Sequence, residues 1–227
     1  MLIASGSPGD DFHDHLLARL PRAPQIAWIG AASGDRAQWF ERSANLLGKR
    51  YDARVRLART VPGPGYDREE TRRILDEAQL IYLGGGDVSL LAEHLCRDGL
   101  DEQIRARRRA GAALLGVSAG AIGLTPAWLR FPEDIDDDED NSGEVALPSR
   151  FACVGAVPIA CDVHDEESDW EELRALLDVW RRDDPQARVE AYGIPAGGAL
   201  LLDGEDRVKH LGAAPHRLIL DQGRIVE

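Results

Sequence analysis

Ala112-Ala113-Leu114-Leu115-Gly116-Val117-Ser118-Ala119-Gly120-Ala121-Ile122 is the stretch that decides how this chain is read. An apolar run leads into a serine flanked by glycines, and an apolar, small-residue segment follows. That order predicts a strand, a sharp turn and a helix, the arrangement called a nucleophile elbow. A large side chain at Gly116 or Gly120 would collide with the neighbouring strand or helix in so tight a turn. The amide of Ala119 opens the helix, where N–H groups face developing negative charge. Ser118 is therefore the candidate nucleophile. The pattern GxSxG is common by chance, so its context has to carry the assignment.

One unit earlier the same grammar appears in Ile81-Tyr82-Leu83-Gly84-Gly85-Gly86-Asp87. Glycines at the carboxyl end of a strand lie where open α/β sheets bind ligands. Gly85, Gly86 and Asp87 are candidate substrate-binding positions, and the Gly86 amide with that of Ala119 would complete an oxyanion hole. Neither GxGxxG nor GxxxxGK[ST] is present, which argues against a nucleotide site.

Farther out, apolar runs alternate with helical patterns. Strands are expected at residues 2–4, 25–29, 53–57, 80–83 and 112–115. Helices are expected at 11–20, 36–50, 67–77, 88–97 and 100–109, with Phe40, Leu46 and Leu47 on one face of the second and Asp67 as an N-cap. This alternation predicts a parallel sheet covered on both faces, an α/β three-layer sandwich. The pattern degrades over residues 126–158, where seven of the eight residues 133–140 are acidic. A helix is expected at 168–180 with Leu173, Leu176, Leu177 and Trp180 as its apolar face. The end reads as short antiparallel strands at 199–202, 208–211, 217–220 and 224–226.

The chain has 227 residues and 44% hydrophobic residues, enough for one sizeable core; a single domain over 1–227 is expected. The net charge of −13 argues against nucleic acid and anionic membranes as partners. No apolar run approaches the ~20 residues of a membrane helix. The first residues lack the basic and apolar regions of a signal peptide, so a cytoplasmic protein is expected. Three cysteines, Cys96, Cys153 and Cys161, are widely spaced, which fits neither a disulfide framework nor a zinc site. Cys161 and His164 have ligand-like spacing, but two ligands do not make a site. Positions 138–149 match only the start of a calcium loop, because Ser149 stands where glutamate is needed. No metal or cofactor is expected.

Taken together, Gly84-Gly85-Gly86-Asp87 and Gly116-Val117-Ser118-Ala119-Gly120-Ala121 resemble the peptidase E (aspartyl dipeptidase) and cyanophycinase family. The likeness extends to Asp162-Val163-His164 and to Tyr192-Gly193-Ile194-Pro195-Ala196-Gly197-Gly198-Ala199, and so spans most of the chain. It implies a class I glutamine-amidotransferase-like fold and a serine hydrolase that cuts small peptides with a Ser-His-acid triad. Ser118 matches the family's nucleophile and His164 its histidine, the general base. His164 also follows an apolar stretch, Val157-Pro158-Ile159-Ala160-Cys161, that can bring it to a strand's end. His210 and His216 fall in the tail hairpins, and His13, His15 and His94 precede the elbow. Position relative to Ser118 points to Glu133 or Asp134 as the triad acid, with Glu133 preferred.

The chain departs from the family in two places. Asp165, not an aromatic residue, follows His164. The arginine that aspartyl dipeptidases place after the histidine is missing: residues 165–172 are Asp165-Glu166-Glu167-Ser168-Asp169-Trp170-Glu171-Glu172. Such a segment would repel an aspartate side chain, so the expected specificity is not aspartyl, and a cationic substrate follows as a hypothesis. The competing explanation is that acids at a helix N-terminus complement the helix dipole. Two other functions compete. An α/β-hydrolase esterase would use His210 or His216 in place of His164. A peptide- or amino-acid-binding member of the same fold would have lost turnover. The expected assembly is a monomer or homodimer.

Overall fold

The computed structural model describes residues 1–4, 10–132 and 147–227. Its elements are β1 (Leu2–Ala4), α1 (Asp10–Leu17), β2 (Gln25–Ile29), α2 (Ala37–Tyr51), β3 (Arg54–Leu57), α3 (Arg68–Glu77), β4 (Leu80–Leu83), α4 (Val88–Arg97), α5 (Leu100–Arg109), β5 (Ala113–Val117) and α6 (Ala119–Gly123). Then follow β6 (Ala127–Arg130), β7 (Ser149–Ala152), β8 (Ile159–Val163), α7 (Glu171–Asp183), β9 (Val189–Ile194), β10 (Gly198–Leu202), β11 (Val208–Gly212), β12 (His216–Asp221) and β13 (Arg224–Val226). Short 3-10 turns occupy Ala31–Ser33 and Glu166–Ser168.

Seven strands form the main sheet in the order β11-β10-β1-β5-β4-β2-β3. β1, β5, β4, β2 and β3 run parallel, and β10 and β11 extend the β1 edge antiparallel. The central strands bury both faces. Ile26, Trp28, Leu80 and Tyr82 enter one core with Leu16 and Leu17 of α1 and Leu47 of α2. Ala27, Ile29, Ile81 and Leu83 enter the other with Leu75 of α3, Leu91 of α4 and Ile104 of α5. Burial from both sides is why these strands read as unbroken apolar runs. β3 lies at the sheet edge and is only partly covered, which accounts for its alternating sequence. Asp67 does cap α3: its carboxylate accepts the N–H groups of Glu69 and Glu70, a contact whose loss costs about 1 kcal/mol.

The tail divides between two sheets. β13-β12-β9-β8 form a second sheet in which β8 and β9 are parallel and the other pairs antiparallel. α7 lays Leu173, Leu176, Leu177 and Trp180 into the same core that α4 and α6 line. Three details differ from the expectation. The stretch read as irregular holds the β6–β7 hairpin, paired from Ala127↔Ala152 to Arg130↔Ser149. α7 begins at Glu171, because Asp169 and Trp170 adopt left-handed conformations (φ 57° and 63°) that no helix can continue through. Leu46 is exposed while Leu47 is buried: seven residues return to the face of Phe40, six do not. No helix among the described residues is long and apolar enough to cross a membrane.

Candidate active site

The carboxyl ends of β2, β4 and β5 meet at Ser118. Gly84 donates its N–H to Ile29 at the end of β2, and Asp87 donates to Ala32 in the turn that follows it, at 2.8 Å. Ser118 stands between β5 and α6 with φ 54° and ψ −124°, a conformation that disfavours any residue with a Cβ. The surroundings impose it. The Ser118 N–H bonds Ala4 O of β1 at 3.0 Å, and its carbonyl accepts from Ala121 and Ile122. Gly120 makes the turn sterically possible, since a Cβ there would lie 2.2 Å from Leu83 O. α6 is only five residues long, so local N–H groups, rather than a long helix dipole, provide what polarity the elbow has.

The glycine turn packs directly on the serine. A Cβ on Gly85 would sit 3.1 Å from Ser118 Cβ and 3.6 Å from Ser118 Oγ. Gly86 has φ 141° and lies so close to Ala32 O that a Cβ would be 2.1 Å from it; both facts require glycine. The N–H groups of Gly86 and Ala119 have no hydrogen-bond acceptor among the described residues. The Asp87 carboxylate is directed elsewhere: it accepts Leu90 N–H at 2.8 Å as the N-cap of α4.

His164 immediately follows β8, and β8 packs against α6, the helix that Ser118 caps. It too is left-handed (φ 66°), with its N–H on Ile194 O at 3.3 Å, and its side chain is exposed. No hydrogen bond joins Ser118 to His164 among the described residues. Glu133 and Asp134 lie outside the described residues. Among the described residues, Asp162, Asp165 and Glu166 are acids near His164, none of them assigned to a triad from the sequence; an aspartate inside the otherwise apolar β8 is the available signal. Glu166 Oε1 accepts the N–H of Ala196 at 3.0 Å. That bond, with its own backbone N–H and the neighbouring His164, holds the Glu166 carboxyl below its usual range.

Arg174, the first basic residue after His164, is occupied. It contacts Asp169, the Glu227 carboxylate at 2.8 Å and His216 Nε2 at 3.1 Å. His216 in turn stacks on Trp170, with ring centroids 6.4 Å apart. His210 lies exposed on β11. Cys161 is fully buried, which pushes its thiol far up and makes it a poor ligand. Two surface grooves, of about 470 and 840 Å³, lie along α3 and are lined by neither Ser118 nor His164.

Comparison with known proteins agrees with this architecture. A peptidase E of Streptomyces coelicolor is 26% identical over 221 residues, covering 90% of this chain and 82% of its own. A peptidase E of Actinobacillus pleuropneumoniae is 27% identical over 146 residues, 60% of this chain and 56% of that protein. The crystal structure of a peptidase from an acI-B1 Actinobacterium superposes with a TM-score of 0.68 at 21% identity, covering 99% and 97% of the two chains. At that identity the likeness concerns the fold. The model of peptidase family S51 matches residues 1–207, and with it the elbow, the glycine turn and the His164 segment. The chain thus belongs to peptidase family S51.

Proposed function

We propose that this peptidase is a serine exopeptidase or dipeptidase. Ser118 Oγ attacks the scissile carbonyl carbon while His164 takes its proton. The carbonyl oxygen, now negative, is held by the N–H groups of Gly86 and Ala119. The tetrahedral intermediate collapses, the amine leaves with the proton from His164, and water cleaves the acyl-enzyme by the reverse route. The single observation that carries this reading is the strained φ of Ser118 beside two N–H groups with no acceptor among the described residues. Strain of this kind persists where the surroundings over-determine it, and it clusters at reactive sites.

The specificity we propose is not aspartyl. Around His164 the chain supplies Asp165, Glu166, Glu167 and Asp169, and Arg174 is already engaged by carboxylates and His216. This environment suits a peptide carrying positive charge, as a free amine or a Lys or Arg side chain. A dipeptide panel read by mass spectrometry, with wild type, Ser118→Ala and His164→Ala, tests both levels. Hydrolysis of Lys-Xaa or Arg-Xaa over Asp-Xaa is expected, reduced roughly 10⁴-fold or more by Ser118→Ala. Preference for Asp-Xaa would refute the specificity. Unreduced turnover in Ser118→Ala would refute the mechanism, and no turnover with no fluorophosphonate labelling of wild type would mark a binding protein.

A further inference from the structure

Two carboxyl groups bracket His164 and take no part in the bond-making and bond-breaking steps proposed above, although Asp165 belongs to the acidic surroundings already named. Asp162, in β8, is 3% exposed. Its Oδ1 accepts the N–H of Val163 at 2.7 Å, while its Oδ2 is buried with no donor among the described residues. Asp165 has the same deficit at its own buried Oδ2. The two buried, unpartnered Oδ2 atoms stand three residues apart in one turn, and Asp165 is among the groups that raise Asp162. If both were ionised, two buried acceptors would go unsatisfied and two like charges would face each other away from water, both unfavourable. One proton removes both problems, because a carboxylic acid donates to a carboxylate in a short, strong bond.

Among the described residues, the neighbouring elements offer no relief. Glu172 of α7 also acts on Asp162, and it is negative too. Arg174, from the same helix, is engaged by Asp169, His216 and Glu227. α6 carries no titratable side chain. β9 places Gly193 opposite Asp162, and the neighbouring Tyr192 donates its hydroxyl to Glu190. The pair therefore has to satisfy itself. It spans residues 162–165, the turn in which His164 holds its left-handed φ of 66°.

We propose that Asp162 and Asp165 share one proton, and that this bridge is a positioning element that holds the turn presenting His164. The inference rests on the reading of His164 as general base. Burial, followed by the charges of Asp165 and Glu172, pushes Asp162 up to about 7. Below that pH the proton is present and the turn is closed. Above it the proton is lost, the carboxylates repel and His164 loses its support.

The probe is a fluorophosphonate, with its second-order rate of labelling Ser118 followed by intact mass spectrometry from pH 5 to 9. Wild type is expected to slow at least fivefold on the alkaline side of about pH 7. In Asp162→Asn the amide donates to Asp165 without titrating. That variant is expected to keep the neutral-pH rate and to lose the alkaline fall. Asp162→Ala, which cannot bridge, is expected to be at least tenfold slower throughout. An alkaline fall unchanged in Asp162→Asn, or a wild-type rate in Asp162→Ala, overturns the proposal. So does an Asp162→Asn effect confined to KM for dipeptides, which would make Asp162 a contact for the substrate amine. Carbon-13 NMR of aspartate carboxyls gives a readout independent of labelling and of the alanine variant's folding. A carboxyl titrating near pH 7, absent in Asp162→Asn, is expected; none titrating above pH 6 sinks the bridge. A wild type that never labels but shows that titration refutes the Ser118–His164 mechanism and leaves the shared proton standing.

Discussion

Gly85→Ala separates a glycine needed for chemistry from one needed for folding. The new methyl carbon would lie 3.6 Å from Ser118 Oγ, 3.1 Å from Ser118 Cβ and 3.4 Å from Val117 O. The backbone of Gly85 is not left-handed, so alanine adds no conformational strain. The contact with Ser118 Cβ asks for a shift of a few tenths of an ångström. Such overpacking costs about 1–2 kcal/mol, and the lower entropy of the unfolded alanine chain offsets roughly 0.5 kcal/mol of it. For a chain of this size the net lowers Tm by only about 2–5 °C.

The effect on reaction is far larger. A reacting carbonyl carbon must come within about 3–3.5 Å of Oγ, and the methyl carbon occupies the edge of that shell. Displacing the carbonyl by ~1 Å costs on the order of 10²-fold, or about 2.7 kcal/mol of transition-state stabilisation. The assay pairs the fluorophosphonate labelling rate of Ser118 with a melting curve of the same preparation. A hundredfold slower rate with a small drop in Tm is expected. Labelling within threefold of wild type in a folded protein would show that substrate does not approach Oγ from the glycine turn. The oxyanion role given to Gly86 would fall with it.

Two further predictions concern stability. Ser118→Gly relieves the φ 54°, ψ −124° strain and is expected to stabilise the fold by about 1 kcal/mol in urea titrations while abolishing activity; unchanged or lower stability would remove the strain argument. Asp162 titrates near 3.8 unfolded and about 7 folded, so the unfolded chain loses its proton first and wild-type stability falls as pH rises from about 4 to 7, then levels off. Asp162→Asn lacks this slope, and its stability relative to wild type should rise by roughly 2–3 kcal/mol between pH 5 and 8; a difference independent of pH would contradict a buried neutral Asp162.

What the sequence made legible was local. β2, β4 and β5 were visible because strands buried on both faces are continuous apolar runs, and Asp67 because a cap acts within three residues. The partition of the tail was not. Leu200 to Leu202 and Leu218 to Leu220 are equally apolar, yet the first pairs with β1 and the second with β9. The pairing Leu2↔Leu201 joins opposite ends of the chain, and nothing in either strand's own pattern announces it. The turn around His164 was hidden for a related reason. Order along the chain points to Glu133 or Asp134, which lie outside the described residues, and among the described residues two buried carboxyls flank the histidine itself.

The two residues assigned the reaction share a backbone property that neither residue type favours. Ser118 and His164 both hold positive φ without being glycine, each directly after a strand, and the two strands belong to different sheets. Each such conformation costs about 1–3 kcal/mol, and a free loop would relax it. Here each N–H is fixed to a neighbouring strand or its end, Ser118 to Ala4 O and His164 to Ile194 O. The strands in turn are locked by burial: Leu114 and Leu115 beside Ser118, and Ala160 and Cys161 beside His164, are all fully enclosed. Sliding either strand by one residue would force side chains of different size into space that is already filled on both faces. Sheet register therefore holds both strained residues in place, and α6, packed on β8, ties the two registers together. A core substitution at this contact between the sheets therefore reaches both strained residues at once.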